Sequence, residues 1–526
     1  MAKMNLTDFA FFLVLFLYCS TLSTNASRET VCKDTPYPQF CTSVLPSNQS
    51  ASIQDHGRFS VQRSISTTSN LLSLVNSYLQ RPSGYPEYTV RALEDCQLLI
   101  NMNLELLSDT LQTIRGANSL NRLREDDVQT FLSATLTNQD TCLNGLESVT
   151  SPSTLKSTLE ASLSNGTKLH SVSLAIVKNG WASPNRRNGR RLLSVEEYNR
   201  KRKLYTIGAN VKVNKTVTVN PDGSGDFKTI NAAVAAAPNK TDGSKGYFVI
   251  HVVAGVYNEY VYLDNNKRYI MMVGDGIGKT IITGNRNVVD GWTTFNTGTF
   301  IVTGKGFVGV DMTIRNTAGP AKHQAVALRS GSDLSTFYKC SFEGYQDTLY
   351  THSLRQFYRE CDVYGTVDYI FGNAAVVIQN CNLYPRLPQQ GQFNTITAQG
   401  RTDINQNTGT SIQNCTIKAA ESLGSTKSYM GRPWKTYSRV VIMQSFIDSL
   451  IDPAGWSVWS GTFALDTLYY AEYSNTGPGS STSNRVTWKG YHSSIPSTDA
   501  ANFTVNNFVA GNSWLPSTGV PFNGGL

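Results

Sequence analysis

From Val211 towards the C-terminus, short runs rich in Val, Ile, Thr, Phe and Tyr recur between clusters of Gly, Asn and Asp. STFYKCSF, RQFYRECDVY, AAVVIQNCNLY and TSIQNCTI are typical. Their spacing is regular, since Cys340 and Cys361 stand 21 residues apart and Cys361 and Cys381 stand 20 apart. A strand-like run repeated at about twenty residues predicts a solenoid of stacked coils. Ile230–Ala237 has the composition of a short helix capping the first coil, whose open end needs covering. The Gly-rich stretches Asp222–Asp226 and Gly274–Gly276 lack a phosphate-loop pattern and read as turns.

The first third has a different period. Leu93, Cys96, Ile100, Asn103, Leu107, Leu111 and Ile114 recur at three-four spacing, one buried face of a helix. Similar patterns in Ser60–Gln80, Glu125–Leu146 and Ser153–Lys178 predict a four-helix bundle over residues 27–183. His56 and His170 are isolated, and Glu125-Asp126-Asp127 reads as a solvated first turn, so nothing catalytic stands out here. Cys32, Cys41, Cys96 and Cys142 are an even number, which favours two disulfides. Of the three possible pairings, Cys32–Cys41 with Cys96–Cys142 is the economical one.

Residues 1–26 contain the apolar run FAFFLVLFLY behind Lys3, which predicts a signal peptide and a secreted chain with no membrane span after its removal. Sequons at Asn48, Asn165, Asn214, Asn239 and Asn502 suit a secreted glycoprotein, whereas Asn414 falls in a predicted coil strand. The net charge is +8, but eight basic and two acidic side chains lie in residues 184–203, a linker. That placement argues against nucleic acid and for a polyanionic extracellular polymer. The dibasic clusters at Arg190-Arg191 and Arg200–Lys203 suit proteolysis of exposed chain, which would part the bundle from the solenoid, residues 204–526.

Two acids recur with the coil period. Asp347 and Asp368 are 21 residues apart, each seven residues after a Cys. On adjacent coils equivalent residues lie about 4.8 Å apart. Two carboxyls so close do not both ionise freely: one stays an acid while the other is a charged nucleophile or base. His323 and His352 flank these acids, but no Ser or Cys nucleophile motif accompanies them, and no Cys/His cluster has zinc spacing.

The motifs Gln324-Ala-Val-Ala-Leu-Arg329, Gly344-Tyr-Gln-Asp-Thr-Leu349, Asp368-Tyr-Ile-Phe-Gly-Asn-Ala374, Thr397-Ala-Gln-Gly-Arg401 and Gly431-Arg-Pro-Trp434 resemble, in order, those of plant pectin methylesterases. The four bundle cysteines, Ala92-Leu-Glu-Asp-Cys96 and Leu136-Thr-Asn-Gln-Asp-Thr-Cys142 resemble the pectin methylesterase inhibitor fold. Arg190-Arg191-Leu192-Leu193 is similar to the site at which subtilisin-type proteases cut such precursors. The resemblance implies an all-β right-handed parallel β-helix behind an all-α four-helix inhibitor-like domain. It implies action on methyl-esterified homogalacturonan in the plant cell wall, without metal or cofactor, as a monomer open to proteinaceous pectin methylesterase inhibitors. It also implies a Cys361–Cys381 disulfide, although spacing alone allows Cys340–Cys361 equally.

By the same resemblance Asp368 is the nucleophile at the C6 ester carbonyl and Asp347 the proton donor and later base. Gln324 and Gln346 would supply donors to the developing oxyanion. Arg432 would orient Asp368 through a charge-assisted contact. Thr294, Tyr350, Phe371, Trp434 and Trp456 are candidates for substrate contact. One geometric difficulty stands: Gln346 and Asp347 are adjacent, and neighbouring strand residues face opposite ways, so both reach one cleft only at a bend, for which Gly344 is the candidate. The alternatives are a polygalacturonase-like glycoside hydrolase, whose paired carboxylates would look alike, and an inactive inhibitor or binding protein.

Overall fold

The computed structural model describes residues 26–48, 50–147, 153–181 and 211–526. The expected signal peptide and the linker with Arg190, Arg191, Leu192 and Leu193 lie outside the described residues, apart from Ala26.

Two short helices, α1 (Arg28–Lys33) and α2 (Pro38–Val44), precede four long ones: α3 (Ile53–Leu79), α4 (Glu87–Ile114), α5 (Arg122–Glu147) and α6 (Ser153–Gly180). Ser52 starts α3 with a capping box, its side chain accepting from the Asp55 N–H while Asp55 accepts from the Ser52 N–H. Leu93, Cys96, Ile100, Asn103, Leu107 and Ile114 are all buried, the face that the three-four spacing predicts. The Cys32–Cys41 disulfide ties α1 to α2, and Cys96–Cys142 ties α4 to α5. Both bundle histidines are core groups. His56 Nε2 meets the Ala26 carbonyl at 3.2 Å, and His170, pushed down to about 4 by burial, meets Thr68 Oγ1 at 3.2 Å. No described helix is long and apolar enough to cross a membrane.

The second region is a parallel β-helix. Its strands form three sheets of 11, 7 and 8 strands, each strand pairing in parallel with its counterpart one coil away. Parallel sheets are covered on their faces, which is why so many strands here are buried along their whole length. The interior is filled by rings in contact through the coils: Phe300, Phe307, Phe337 and Phe342 lie 5.5, 5.5 and 5.6 Å apart in turn, and Tyr358 stacks on Phe337 at 5.0 Å. Fully burying each such ring contributes about 1.5–3 kcal/mol. Helix α7 (Ile230–Ala236) caps the N-terminal end, its Ile230, Ala233 and Val234 buried. Val505, Trp514 and Leu515 of the C-terminal segment cover Val249, Met271, Phe357 and Val377 on the outer face of the 11-stranded sheet.

One corner repeats with the coil. Strands ending at Tyr338, Arg359, Gln379 and Gln413 are each followed by a left-handed residue, Lys339, Glu360, Asn380 and Asn414, with φ between 51° and 55°. The left-handed residue reverses the chain so that the next side chain points inward, and those are Cys340, Cys361, Cys381 and Cys415. Asn414 therefore sits exposed at a corner, not within a strand as its sequence suggests. The Cys361–Cys381 disulfide implied by the family resemblance is not formed: all four thiols are free and buried. The ladder gives an interior cysteine neighbours on both sides. The Cys381 sulfur accepts the Cys361 N–H at 3.3 Å and the Cys415 sulfur accepts the Cys381 N–H at 3.4 Å.

The bundle packs on the 7-stranded sheet. Leu99, Leu155, Leu159 and other bundle residues share one apolar cluster with Phe295, Val326, Tyr350, Phe371 and Ala398. Polar contacts frame it: Arg355 reaches Asp127 at 2.7 Å, Lys435 reaches Asp140 at 2.9 Å, and Gln406 donates to the Ser133 carbonyl at 2.8 Å. Asp126 and Asp127 are thus not a solvated first turn. Asp127 pairs with the buried Arg355, and burial pushes Asp126 up to about 6.

Candidate active site

Leu349 and Tyr350 pair in register with Ile370 and Phe371, which places Asp347 and Asp368 at equivalent points of successive coils. Both have left-handed backbone, φ 62° and 52°. That conformation resolves the difficulty over Gln346 and Asp347: the bend is at Asp347 itself, so the side chains of two neighbours need not diverge. Gly344, the residue that the sequence suggests for the bend, does not have positive φ; a Cβ there would instead meet Thr348 Oγ1 at 2.7 Å. Non-Gly residues held in this region cost of order 1–3 kcal/mol each and cluster at active sites.

The two carboxyls are treated differently. Arg432 grips Asp368 with a fork, Nε to Oδ1 at 2.8 Å and Nη2 to Oδ2 at 2.7 Å, and Thr395 Oγ1 donates to Oδ1 at 2.6 Å. The Asp368 N–H donates in turn to Thr395 Oγ1 at 2.8 Å. Such charge-assisted bonds fix the orientation of the carboxyl group. Asp347 is held well above the usual carboxylate range, first by burial and then by the charge of Asp368, with Arg432 opposing.

Gln346 directly precedes Asp347 on its coil, and Gln324 lies one coil earlier. The Ala325 N–H donates to the Gln346 carbonyl at 3.2 Å, as one coil follows the next. Gln346 Oε1 is buried and has no hydrogen-bond partner among the described residues. Tyr350 and Phe371 stack at 4.0 Å, Phe371 meets Trp434 edge-on at 6.0 Å, and Phe295 meets Tyr350 edge-on at 6.4 Å. Gly400 lets Trp434 lie close, since a Cβ there would meet its ring at 2.8 Å. Thr294 lies in the turn Thr294–Asn296 beside Phe295.

Trp456 is not a sugar platform. It is 1% exposed and packs against Tyr470 at 4.3 Å inside the β-helix. The exposed aromatic is Trp459, three residues on, 36% exposed and with the Arg432 guanidinium 4.4 Å from its ring centre. His352 is no base: burial, then Arg329, hold it well below its ordinary value, and its ring nitrogens meet Thr141 Oγ1 at 3.0 Å and Ser353 Oγ at 3.1 Å.

Comparison with known proteins agrees with this geometry. Residues 216–512 match the Pectinesterase family model, and residues 26–176 match that of plant invertase/pectin methylesterase inhibitors. "Probable pectinesterase/pectinesterase inhibitor 20" of Arabidopsis thaliana is 56% identical over 95% of this chain and 94% of its own. Pectinesterase 2 of Citrus sinensis is 48% identical over 98% of each chain. The structure of pectin methylesterase from carrot, at 55% identity and a TM-score of 0.57, covers 62% of this chain and 100% of that one. The chain belongs to the pectinesterase family and carries an inhibitor-family domain ahead of the enzyme. It is a carboxylic ester hydrolase of the pectinesterase class, and the glycoside hydrolase alternative is not favoured.

Proposed function

We propose that residues 204–526 demethylesterify homogalacturonan with Asp368 as nucleophile and Asp347 as acid and base. The observation that carries this is the Arg432 fork on Asp368 beside an Asp347 held well above the usual carboxylate range by burial and then by Asp368. An Asp368 oxygen attacks the C6 carbonyl, and the amides of Gln324 and Gln346 donate to the oxyanion that forms. The C6–methoxyl bond then breaks, and methanol leaves with the Asp347 proton. Water attacks the acyl-enzyme, giving a proton to Asp347, and the sugar carboxylate departs as Asp368 is regenerated. Tyr350, Phe371, Trp434, Thr294 and Trp459 would line the sugar path.

The substrate is the methyl-esterified polymer of the plant cell wall, to which the secreted, monomeric enzyme is delivered after removal of residues 1–26. The bundle, residues 27–183, covers the cleft until a subtilisin-type protease cuts the linker, residues 184–203, at Arg190-Arg191-Leu192-Leu193. Free pectin methylesterase inhibitors would then compete for the same face. The apolar contact of Leu99, Leu155 and Leu159 with Tyr350 and Phe371 supports this reading. Glycans would sit at Asn48, Asn165, Asn214, Asn239 and Asn502. The test is methanol release from highly methylated pectin by the full chain, before and after cutting at a protease site placed in the linker. Release only after cutting supports both parts; release in neither state overturns the enzymatic reading.

A further inference from the structure

Far from the acid pair, one corner of the coil stack holds an open cavity of about 220 Å³ that the reaction does not use. That is below the roughly 300 Å³ at which pockets for drug-sized ligands begin, and on the scale of a single sugar ring. Side-chain amides line it, with Leu526 as an apolar wall and no charged side chain among the described residues. The amides are tied to one another coil by coil: Gln379 Nε2 donates to Gln413 Oε1 at 2.9 Å, Gln413 Nε2 to Gln444 Oε1 at 3.0 Å, and Asn414 Nδ2 to Asn380 Oδ1 at 2.9 Å. Gln379 and Gln413 also donate to the carbonyls of Asn523 and Gly525, at 2.9 and 2.8 Å. A carboxamide carries two N–H donors and two carbonyl lone pairs, so such a lining offers both kinds of partner to an uncharged ligand rich in hydroxyl and amide groups. An N-acetylated sugar has that chemistry.

One of the lining residues is also an attachment point. Asn414-Cys415-Thr416 is an acceptor triplet for N-linked glycan. The left-handed backbone at Asn414, φ 53°, turns Cys415 into the interior and leaves Asn414 exposed. Lys339, Glu360, Asn380 and Gln444 hold the same backbone on other coils, but none of them begins such a triplet, and Asn380 has Asn382 where Thr416 stands. The corner joins the 11-stranded sheet to the 8-stranded one, whereas the bundle and the acid pair lie on the 7-stranded sheet. A bulky group here obstructs neither.

We infer that Asn414 carries an N-linked glycan and that its first N-acetylglucosamine is seated in the amide cavity. The inference rests on the reading of residues 1–26 as a secretion signal. The donor is an oligosaccharide on a polyprenyl diphosphate: the bond from sugar C1 to the diphosphate oxygen breaks as the bond from Asn414 Nδ2 to C1 forms, and the nitrogen gives up one proton. Its other hydrogen stays, and with it the bond to Asn380 Oδ1. Transfer precedes folding, because Cys415 is buried once the coil closes. The seated sugar then bridges the coils to Asn523 and Leu526, which line the same cavity. It thereby pins the end of the C-terminal segment whose Val505, Trp514 and Leu515 cover the 11-stranded sheet.

The experiment uses the full chain secreted from plant cells. Peptides are released from glycan by an amidase in water enriched in heavy oxygen, which marks each occupied asparagine, and are read by mass spectrometry. Asn414 is marked in most copies. An unmarked Asn414 in a protein marked at Asn214 and Asn239 overturns the proposal alone, whereas no mark at any sequon overturns the secretion reading and this proposal with it. The seat is tested by hydrogen exchange over residues 519–526, where the Asn523 N–H donates to Gln379 Oε1 at 2.9 Å. Thr416→Val destroys the triplet while keeping Asn414 and a β-branched residue in the strand. In that variant the segment exchanges about tenfold faster than in the parent, the loss of roughly one hydrogen bond. The parent trimmed by an endoglycosidase to the first sugar exchanges as slowly as the untrimmed protein. Equal exchange in Thr416→Val and parent, or fast exchange in the trimmed parent, would place the first sugar in solvent and sink the seat.

Discussion

Arg432 and Asp368 face each other through two parallel hydrogen bonds of 2.8 and 2.7 Å, a fork that only a guanidinium makes with a carboxylate. The fork fixes the orientation of one of two neighbouring acids and leaves the other without such a partner. Asp368→Asn removes the proposed nucleophile while keeping size and most hydrogen bonds. Methanol release should fall by about 10³-fold or more, with a far-ultraviolet spectrum like the parent's. Near-parental release would sink the assignment of Asp368.

Arg432→Lys keeps the positive charge but loses the planar fork. A drop in kcat of about 10²-fold is expected, because Asp368 then keeps a cationic partner but is no longer oriented by it. Steady-state kinetics on methylated pectin check it, and an unchanged kcat would mean that charge alone matters.

Asp347 makes a prediction about stability. Its folded-state value lies well above the unfolded one, owing to burial and then Asp368. Its contribution is therefore fully present below the unfolded value, about 4, and is lost as pH rises through the raised value. Asp347→Asn, which cannot ionise, should unfold at a higher temperature than the parent at pH 8 and show a smaller gap at pH 4. Calorimetry at the two pH values decides; a gap independent of pH would place the cause elsewhere.

Docking of the bundle should also respond to pH. Asp95 is pushed up to about 7 by burial and then Glu94, against Thr293, Arg329 and Asn296, and Asp126 is pushed to about 6 by burial, against Arg122 and Arg355. Both take up a proton on docking, so docking is tightest below about pH 4 and weakens progressively to about pH 7. Dissociation of the cut bundle, followed by size-exclusion chromatography at several pH values, tests this. Asp95→Asn should flatten most of the dependence.

The sequence is most informative where local period and global fold agree. The twenty-residue recurrence of cysteines announces the coils, and the three-four spacing from Leu93 to Ile114 announces α4, because each pattern is a direct image of which side faces inward. The Asp pair is readable for the same reason. Trp456 and Trp459 are not separable this way: three residues apart in an irregular loop, one is buried and the other exposed beside Arg432. The bend at Asp347 is hidden because left-handed backbone at a non-Gly residue has no strong composition signal. The bundle's placement is invisible for a simpler cause. Asp95 finds Thr293 at a separation of 198 residues, and no local pattern reports a contact of that range.

Stacked coils give the proposed reaction centre a property that loop-built sites lack. Both acids hang from the same backbone corner of consecutive rungs, so their separation is inherited from interstrand hydrogen bonding and not from the length or suppleness of a loop. Change between them is quantised: a gained or lost coil moves one acid by about 4.8 Å, and nothing in between is available. Coils at either end of the stack can be added, trimmed or re-decorated while the spacing of the reacting groups stays constant. Such a ruler lets the polymer-binding face vary freely around chemistry that does not.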